Sequence, residues 1–183
     1  YCLENKYPFT DYLKHVGKPF QVIMELMGLE EYLPHIMNYY FKRTSTYTNL
    51  INLYPGIKEV LYFCNQSSLL KTALITSKCK YRTTEIINSM GLIFDMVITP
   101  EDTLRGKPFP DPLIYANKFL KIAPTKSLYI GDMQSDFYSA KSAGWNYLHA
   151  NWGYGKEFDN YKLNIIVNET TDIINKINQY FPL

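Results

Sequence analysis

Three short stretches of this 183-residue chain carry residue types that can act on an anion. Thr76-Ser77-Lys78 offers two hydroxyls and an ammonium, and Gly106-Lys107-Pro108 holds a lysine between a glycine and a proline. Gly131-Asp132-Met133-Gln134-Ser135-Asp136 sets two carboxylates four residues apart. Singly, each has an ordinary explanation. A Thr-Ser pair after a strand commonly caps a helix, a loop lysine is usually solvated, and Ser135 or Asp136 can cap the helix it opens. Taken together they form a chemical set. A hydroxyl with nearby backbone N–H groups can hold phosphoryl oxygens. A fixed ammonium offsets negative charge on a phosphate and on attacking groups. Two carboxylates are costly to bury unless hydrated, paired or metal-bound, and carboxylate oxygen suits magnesium, which often bridges to substrate phosphate.

The elements around these stretches place them on one rim. Thr72–Thr76, Phe94–Ile98, Ser127–Ile130, Asn146–Ala150 and Leu163–Val167 are short apolar runs ending in polar residues, the pattern of buried parallel strands. Helical patterns separate them, from Tyr81 to Met90 before Gly91, from Asp111 to Leu120 and from Ser135 to Ala143 before Gly144, and Thr171–Tyr180 closes the series. Alternating strands and helices predict an α/β fold, a Rossmann-like parallel sheet with helices on both faces. Ligands of such sheets sit at the carboxyl ends of the strands, where all three stretches fall. Residues 1–52 differ. Pro19 suits a first helical turn, Val22, Ile23, Leu26, Met27 and Leu29 follow at helical spacing, and Tyr32 to Tyr47 reads as a second helix, with no strand pattern. The turn Tyr54-Pro55-Gly56 separates this part from residues 53–183, where a helix on Ile57, Val60, Leu61 and Phe63 leads into the first strand.

Composition narrows the classes. A formal net charge of +2 gives no nucleic-acid surface, and no stretch of about 18 apolar residues predicts a membrane span. Cys2, Cys64 and Cys79 match neither a zinc site nor a disulfide framework and read as ordinary thiols in a reducing, cytoplasmic setting. Monomer and homodimer both remain open.

Several stretches resemble motifs of the haloacid-dehalogenase (HAD) superfamily, in particular its phosphoglycolate-phosphatase-like members. Ala73-Leu74-Ile75-Thr76-Ser77-Lys78 is similar to the second motif, Gly106-Lys107-Pro108-Phe109-Pro110-Asp111-Pro112 to the third, and Leu128 to Gly144, reading LYIGDMQSDFYSAKSAG, to the fourth. Tyr54-Pro55-Gly56 looks like the re-entry from an inserted cap, and Trp152-Gly153-Tyr154-Gly155 like a loop after the next strand. Met133 stands where the family usually has a small polar residue. The resemblance implies a Mg2+-dependent phosphatase acting on a small phosphorylated metabolite. By it, Thr76 and Ser77 bind the phosphoryl group, Lys107 neutralises it, and Asp132 ligates magnesium. Asp136 ligates it too, or orients Lys107 and metal-bound water. Residues 1–52 would be a helical cap on a core of residues 53–183.

The family's first motif, an Asp-x-Asp whose first carboxylate attacks phosphorus and whose second protonates the leaving group, occurs nowhere in this sequence. In the family it ends a central strand upstream of the cap. The expectation is therefore a gap in the sheet, a nucleophile segment lying outside these residues, and no activity from this chain alone. Association with a second chain that supplies the strand, or a rearranged sheet, are the alternatives. A non-catalytic binding or regulatory relative and a sugar-phosphate phosphomutase stand beside the phosphatase.

Overall fold

The computed structural model describes residues 7–155 and 166–181. It opens with three helices, α1 (Phe9–Leu13), α2 (Phe20–Leu26) and α3 (Leu33–Ser45). Pro19 stands just before α2, as its cap, rather than inside its first turn. The second expected helix begins at Leu33, because Glu30–Tyr32 coil more tightly as a 3-10 turn. Ile23, Met24 and Leu29 are buried among Phe20, Leu33 and Ile36, and the Phe20 and Tyr40 rings stack at 4.1 Å. These helices thus gather an apolar cluster of their own.

The rest alternates. Helix α4 (Ile57–Gln66) leads to β1 (Ala73–Ile75), α5 (Lys80–Met90), β2 (Met96–Ile98), α6 (Asp111–Leu120) and β3 (Leu128–Gly131). Then come α7 (Gln134–Ala143), β4 (Asn146–Ala150), β5 (Ile166–Val167) and α8 (Thr171–Tyr180). Helix α4 starts at Gly56 with φ +83°, where an added Cβ would meet the Thr170 hydroxyl, so this turn needs glycine. Along β3 side chains alternate, as a pleat requires. Tyr129 joins Ile75, Ile98, Leu113, Ala116, Ala140 and Ala143 on the α6–α7 side. Leu128 and Ile130 pack with Val60, Cys64, Ile173 and Ile177 on the α4–α8 side. Helices cover both faces, as the alternation predicts.

Strand β2 is shorter than the expected Phe94–Ile98. The Asp95 carboxylate accepts from Thr72 N at 2.8 Å, Thr72 Oγ1 at 3.2 Å and Lys71 Nζ at 2.9 Å, so a side chain replaces the ladder there. Of the expected fifth strand, residues 163–165 lie outside the described residues.

All strand pairs are parallel, but they form two sheets, β1-β2 and β3-β4-β5. In a parallel ladder a residue's N–H and C=O point to the same side. Thr72 O and Thr76 N bond to β2, so Ala73 and Ile75 turn theirs away from it. Ser127 O bonds to Asn146 N in β4, so Leu128 and Ile130 likewise turn theirs away from β4. Between the two sheets, Ile75 O accepts from the Tyr129 hydroxyl at 3.3 Å and from Lys107 Nζ at 3.4 Å. Among the described residues the strands thus form two separate parallel sheets rather than one continuous sheet.

Arg82, only 3% exposed, joins the helical residues to α5. Its guanidinium donates to Ser45 Oγ at 3.1 Å, Thr48 Oγ1 at 3.0 Å and Thr44 O at 3.0 Å, and pairs with Glu85. Glu85 in turn accepts from Ser45 Oγ at 3.0 Å and Thr48 Oγ1 at 3.1 Å. Among the described residues, no helix is long and apolar enough to cross a membrane.

Candidate active site

Thr76 leaves β1 with its N–H still bonded to Ile98 O at 3.0 Å, which fixes where its side chain begins. Its hydroxyl oxygen accepts the Lys78 N–H at 3.1 Å. This local turn leaves the hydroxyl hydrogen to donate elsewhere. Thr76, Ser77 and Lys107 line one shallow hollow, together with Thr99, Thr103 and Pro19. Pro19 comes from the N-terminal helices. A Cβ added to Gly17, two residues earlier, would meet the Met133 side chain, so the loop before α2 packs against the loop after β3.

The loop carrying Lys107 is held from two sides. Arg105 makes a two-pronged pair with Asp111, Nε to Oδ1 at 3.0 Å and Nη2 to Oδ2 at 2.9 Å, and lies 4.5 Å over the Phe109 ring. From α7, the wholly buried Ser139 donates to Phe109 O at 2.7 Å. Lys107 then uses all three ammonium hydrogens inside the protein, on Asp136 Oδ1 at 2.7 Å, Tyr129 Oη at 3.1 Å and Ile75 O at 3.4 Å. Burial works against its charge, but the oxygens of Tyr129 and Asp136 outweigh it and hold the ammonium above the ordinary lysine range. Burial also pushes the Tyr129 hydroxyl up to about 12, with the Asp136 charge adding to the rise and the Lys107 charge opposing it.

Asp136 is 4% exposed. Besides Lys107, its Oδ2 accepts Met133 N at 3.0 Å, which closes the first turn of α7. Asp132 does not line the hollow. Its Oδ2 instead accepts the backbone N–H groups of Tyr154, at 2.7 Å, and Gly155, at 3.3 Å, from the loop after β4. A Cβ on Gly153 or Gly155 would strike Asp132, so both glycines are required for that approach. Behind the end of β3, the Tyr147 hydroxyl donates to Gly131 O at 2.8 Å and lies 3.3 Å from His149 Nδ1.

Of the five expected site residues, the structure brings Thr76, Ser77 and Lys107 onto one hollow and sets Asp136 behind the lysine. Asp132 stands apart, because the Tyr154–Gly155 backbone takes its carboxylate. Its Oδ1 accepts no hydrogen bond from the described residues and remains able to meet a hard cation. No three of His, Cys, Asp or Glu gather as a metal set among the described residues. A single carboxylate is nonetheless compatible with magnesium, which keeps several waters and takes substrate oxygens, so the residues present fit that ion. Sequence reasoning missed Tyr129, whose hydroxyl meets both Lys107 and Asp136, although its place one residue from Ile130 on an alternating strand puts it on the lysine side of the sheet. It also missed that Gly153 and Gly155 serve Asp132.

The profile of the haloacid dehalogenase-like hydrolases matches residues 2–150. The phosphoglycolate phosphatase of Nitrosococcus oceani is 33% identical over 110 residues, 59% of this chain and 48% of that protein. The phosphoglycolate phosphatase of Escherichia coli K12 is 29% identical over 126 residues, 67% of this chain and 50% of that protein. The chain thus spans about half the length of these curated relatives. A crystal structure of a candidate phosphoglycolate phosphatase from Lactobacillus plantarum is 25% identical with a TM-score of 0.76, covering 91% of this chain and 81% of that one. A haloacid dehalogenase-like hydrolase candidate from Bacteroides fragilis, 22% identical, shares the fold with a TM-score of 0.79 over 93% of this chain and 87% of that one.

Proposed function

Because this chain belongs to the haloacid dehalogenase-like hydrolase family, we propose that it provides the phosphate-binding part of a magnesium-dependent phosphatase for a small, phosphoglycolate-like phosphate monoester. The observation that carries this is the meeting of Thr76, Ser77 and Lys107 on one hollow, with the lysine held charged by Asp136. In this reading Thr76 donates its hydroxyl hydrogen to a phosphoryl oxygen, and Ser77 adds a second polar group. Lys107 supplies positive charge beside the oxygens on which negative charge grows. Asp136 acts through Lys107 and through metal-bound water rather than as a direct ligand. Asp132 holds the magnesium, which when bound supplies further positive charge against the phosphoryl oxygens.

The nucleophile is an Asp-x-Asp carboxylate, which these 183 residues do not contain. Its oxygen bonds to phosphorus, the alcohol leaves with a proton from the second carboxyl, and water then hydrolyses the aspartyl-phosphate. The edges of β1 and β3 that bond to no strand among the described residues are the natural seat for the strand that carries it, so these 183 residues alone are expected to be inactive. Residues 1–52 act as the cap, a role supported by Pro19 lining the hollow and Gly17 meeting Met133. Such a cap excludes water and helps select the substrate.

The test is hydrolysis of p-nitrophenyl phosphate by the protein expressed from its full reading frame. Magnesium-dependent release that disappears in Asp132→Asn supports the proposal. No hydrolysis, together with unchanged inorganic phosphate binding in Lys107→Met, would sink it. A second reading, a non-catalytic binding protein, predicts phosphate binding without hydrolysis from the same reading frame.

A further inference from the structure

Lys107 has three acceptors. Asp136 holds the ammonium from α7 and Ile75 O from the end of β1, where Thr76 begins, and the Tyr129 hydroxyl is shared between them. The Tyr129 hydroxyl touches every member of this set. It accepts from Lys107 at 3.1 Å, and its single hydrogen faces Ile75 O and Asp136 Oδ1, each at 3.3 Å. It is 8% exposed, and its ring packs with those of Trp145, in a T-shaped contact, and Tyr147, stacked, each at 6.4 Å. A ring buried and packed in this way has little room to swing its hydroxyl, so the oxygen limits where the flexible lysine stem can settle.

We propose that Tyr129 is a positioning residue, whose hydroxyl holds the Lys107 ammonium at the Thr76 end of the hollow and sets its separation from an anion bound there. The role in anion binding rests on the phosphate-site reading above; the hold on Lys107 does not. Tyr129→Phe keeps the ring and removes only the oxygen. Lys107 then keeps two acceptors, and Asp136 Oδ1 loses a donor.

Two measurements on the protein expressed from its full reading frame test this. The first is the 13Cε NMR signal of Lys107, assigned by its loss in Lys107→Met and followed against pH. The second is calorimetric titration with inorganic phosphate. In Tyr129→Phe the Lys107 signal is expected to move and to titrate at lower pH. Phosphate is expected to bind roughly tenfold more weakly, the scale of one hydrogen bond to a charged group. An unmoved Lys107 signal overturns the proposal whatever phosphate does. A moved signal with unchanged phosphate binding in both Tyr129→Phe and Lys107→Met supports the hold on the lysine and defeats the phosphate-site reading instead. Should Tyr129→Phe not fold, 3-fluorotyrosine at the same position weakens the oxygen as an acceptor with little change in shape, and an unmoved Lys107 signal there overturns the proposal equally.

Discussion

The Lys107 ammonium lies 2.7 Å from the Asp136 carboxylate, with the two side chains only 10% and 5% exposed. A charge buried this far is tolerated because its partner is present. Asp136→Ala strands the lysine and is expected to cost about 3–5 kcal/mol of folding stability. Lys107→Met combined with Asp136→Leu should recover most of that loss. Urea unfolding of the single and double variants, combined as a double-mutant cycle, measures the coupling.

Arg82 offers a parallel case at the joint between α5 and the C-terminal end of α3 with the turn after it. One fork serves Thr44 O, Ser45 Oγ, Thr48 Oγ1 and Glu85. Lysine keeps the charge and loses the fork. Arg82→Lys is therefore expected to destabilise by about 2–3 kcal/mol, the cost of leaving such partners unmet. Amide exchange should quicken first at residues 44–48, which urea unfolding followed by mass-resolved exchange would reveal.

Gly155 tests the link between the loop after β4 and Asp132. Alanine there would place its Cβ against the Asp132 backbone and push the loop off the carboxylate. Binding of Mn2+, used as a probe for magnesium, is expected to weaken by about tenfold, the lower end for loss of a ligand's outer partners. Titration calorimetry reads this, and an unchanged far-UV spectrum would show that the fold persists.

His149 carries a pH dependence. Burial lowers its pKa, against the opposing charges of Asp132 and Asp136. The folded chain therefore prefers the neutral ring, and the unfolded chain takes up the proton first as pH falls. The stability tied to this residue is complete above the unfolded value of about 6.5 and is lost as pH falls from there through the lower folded value. Thermal unfolding should weaken from about pH 6.5 toward pH 5, and His149→Gln should flatten that slope.

The strand series and the helix stops were legible because their signals are local. Apolar runs ending at Thr76 and Gly131, and glycines at 91 and 144 in the left-handed region, announce themselves within a few residues. Asp95 shows where this fails. Its carboxylate replaces ladder bonds to Thr72, 23 residues away, and shortens β2, which periodicity cannot reveal. The site divides in the same way. Thr76, Lys107 and Asp136 could be named from residue type at a strand end. The Tyr129 hydroxyl looked like one more core aromatic in a chain with 17 tyrosines. Asp132 was placed on the hollow because a carboxylate after a strand was expected to face it, but two backbone N–H groups from a distant loop turn it aside.

Side chains, not a backbone ladder, join the β1-β2 pair to the β3-β4-β5 sheet. A ladder fixes spacing at one strand width, whereas here a lysine ammonium and a phenol meet at one carbonyl instead. The molecule consequently has a parting line, with Thr76 on one bank and Asp132 on the other. On the phosphatase reading proposed above, whatever settles along that line would set how far Thr76 stands from Asp132.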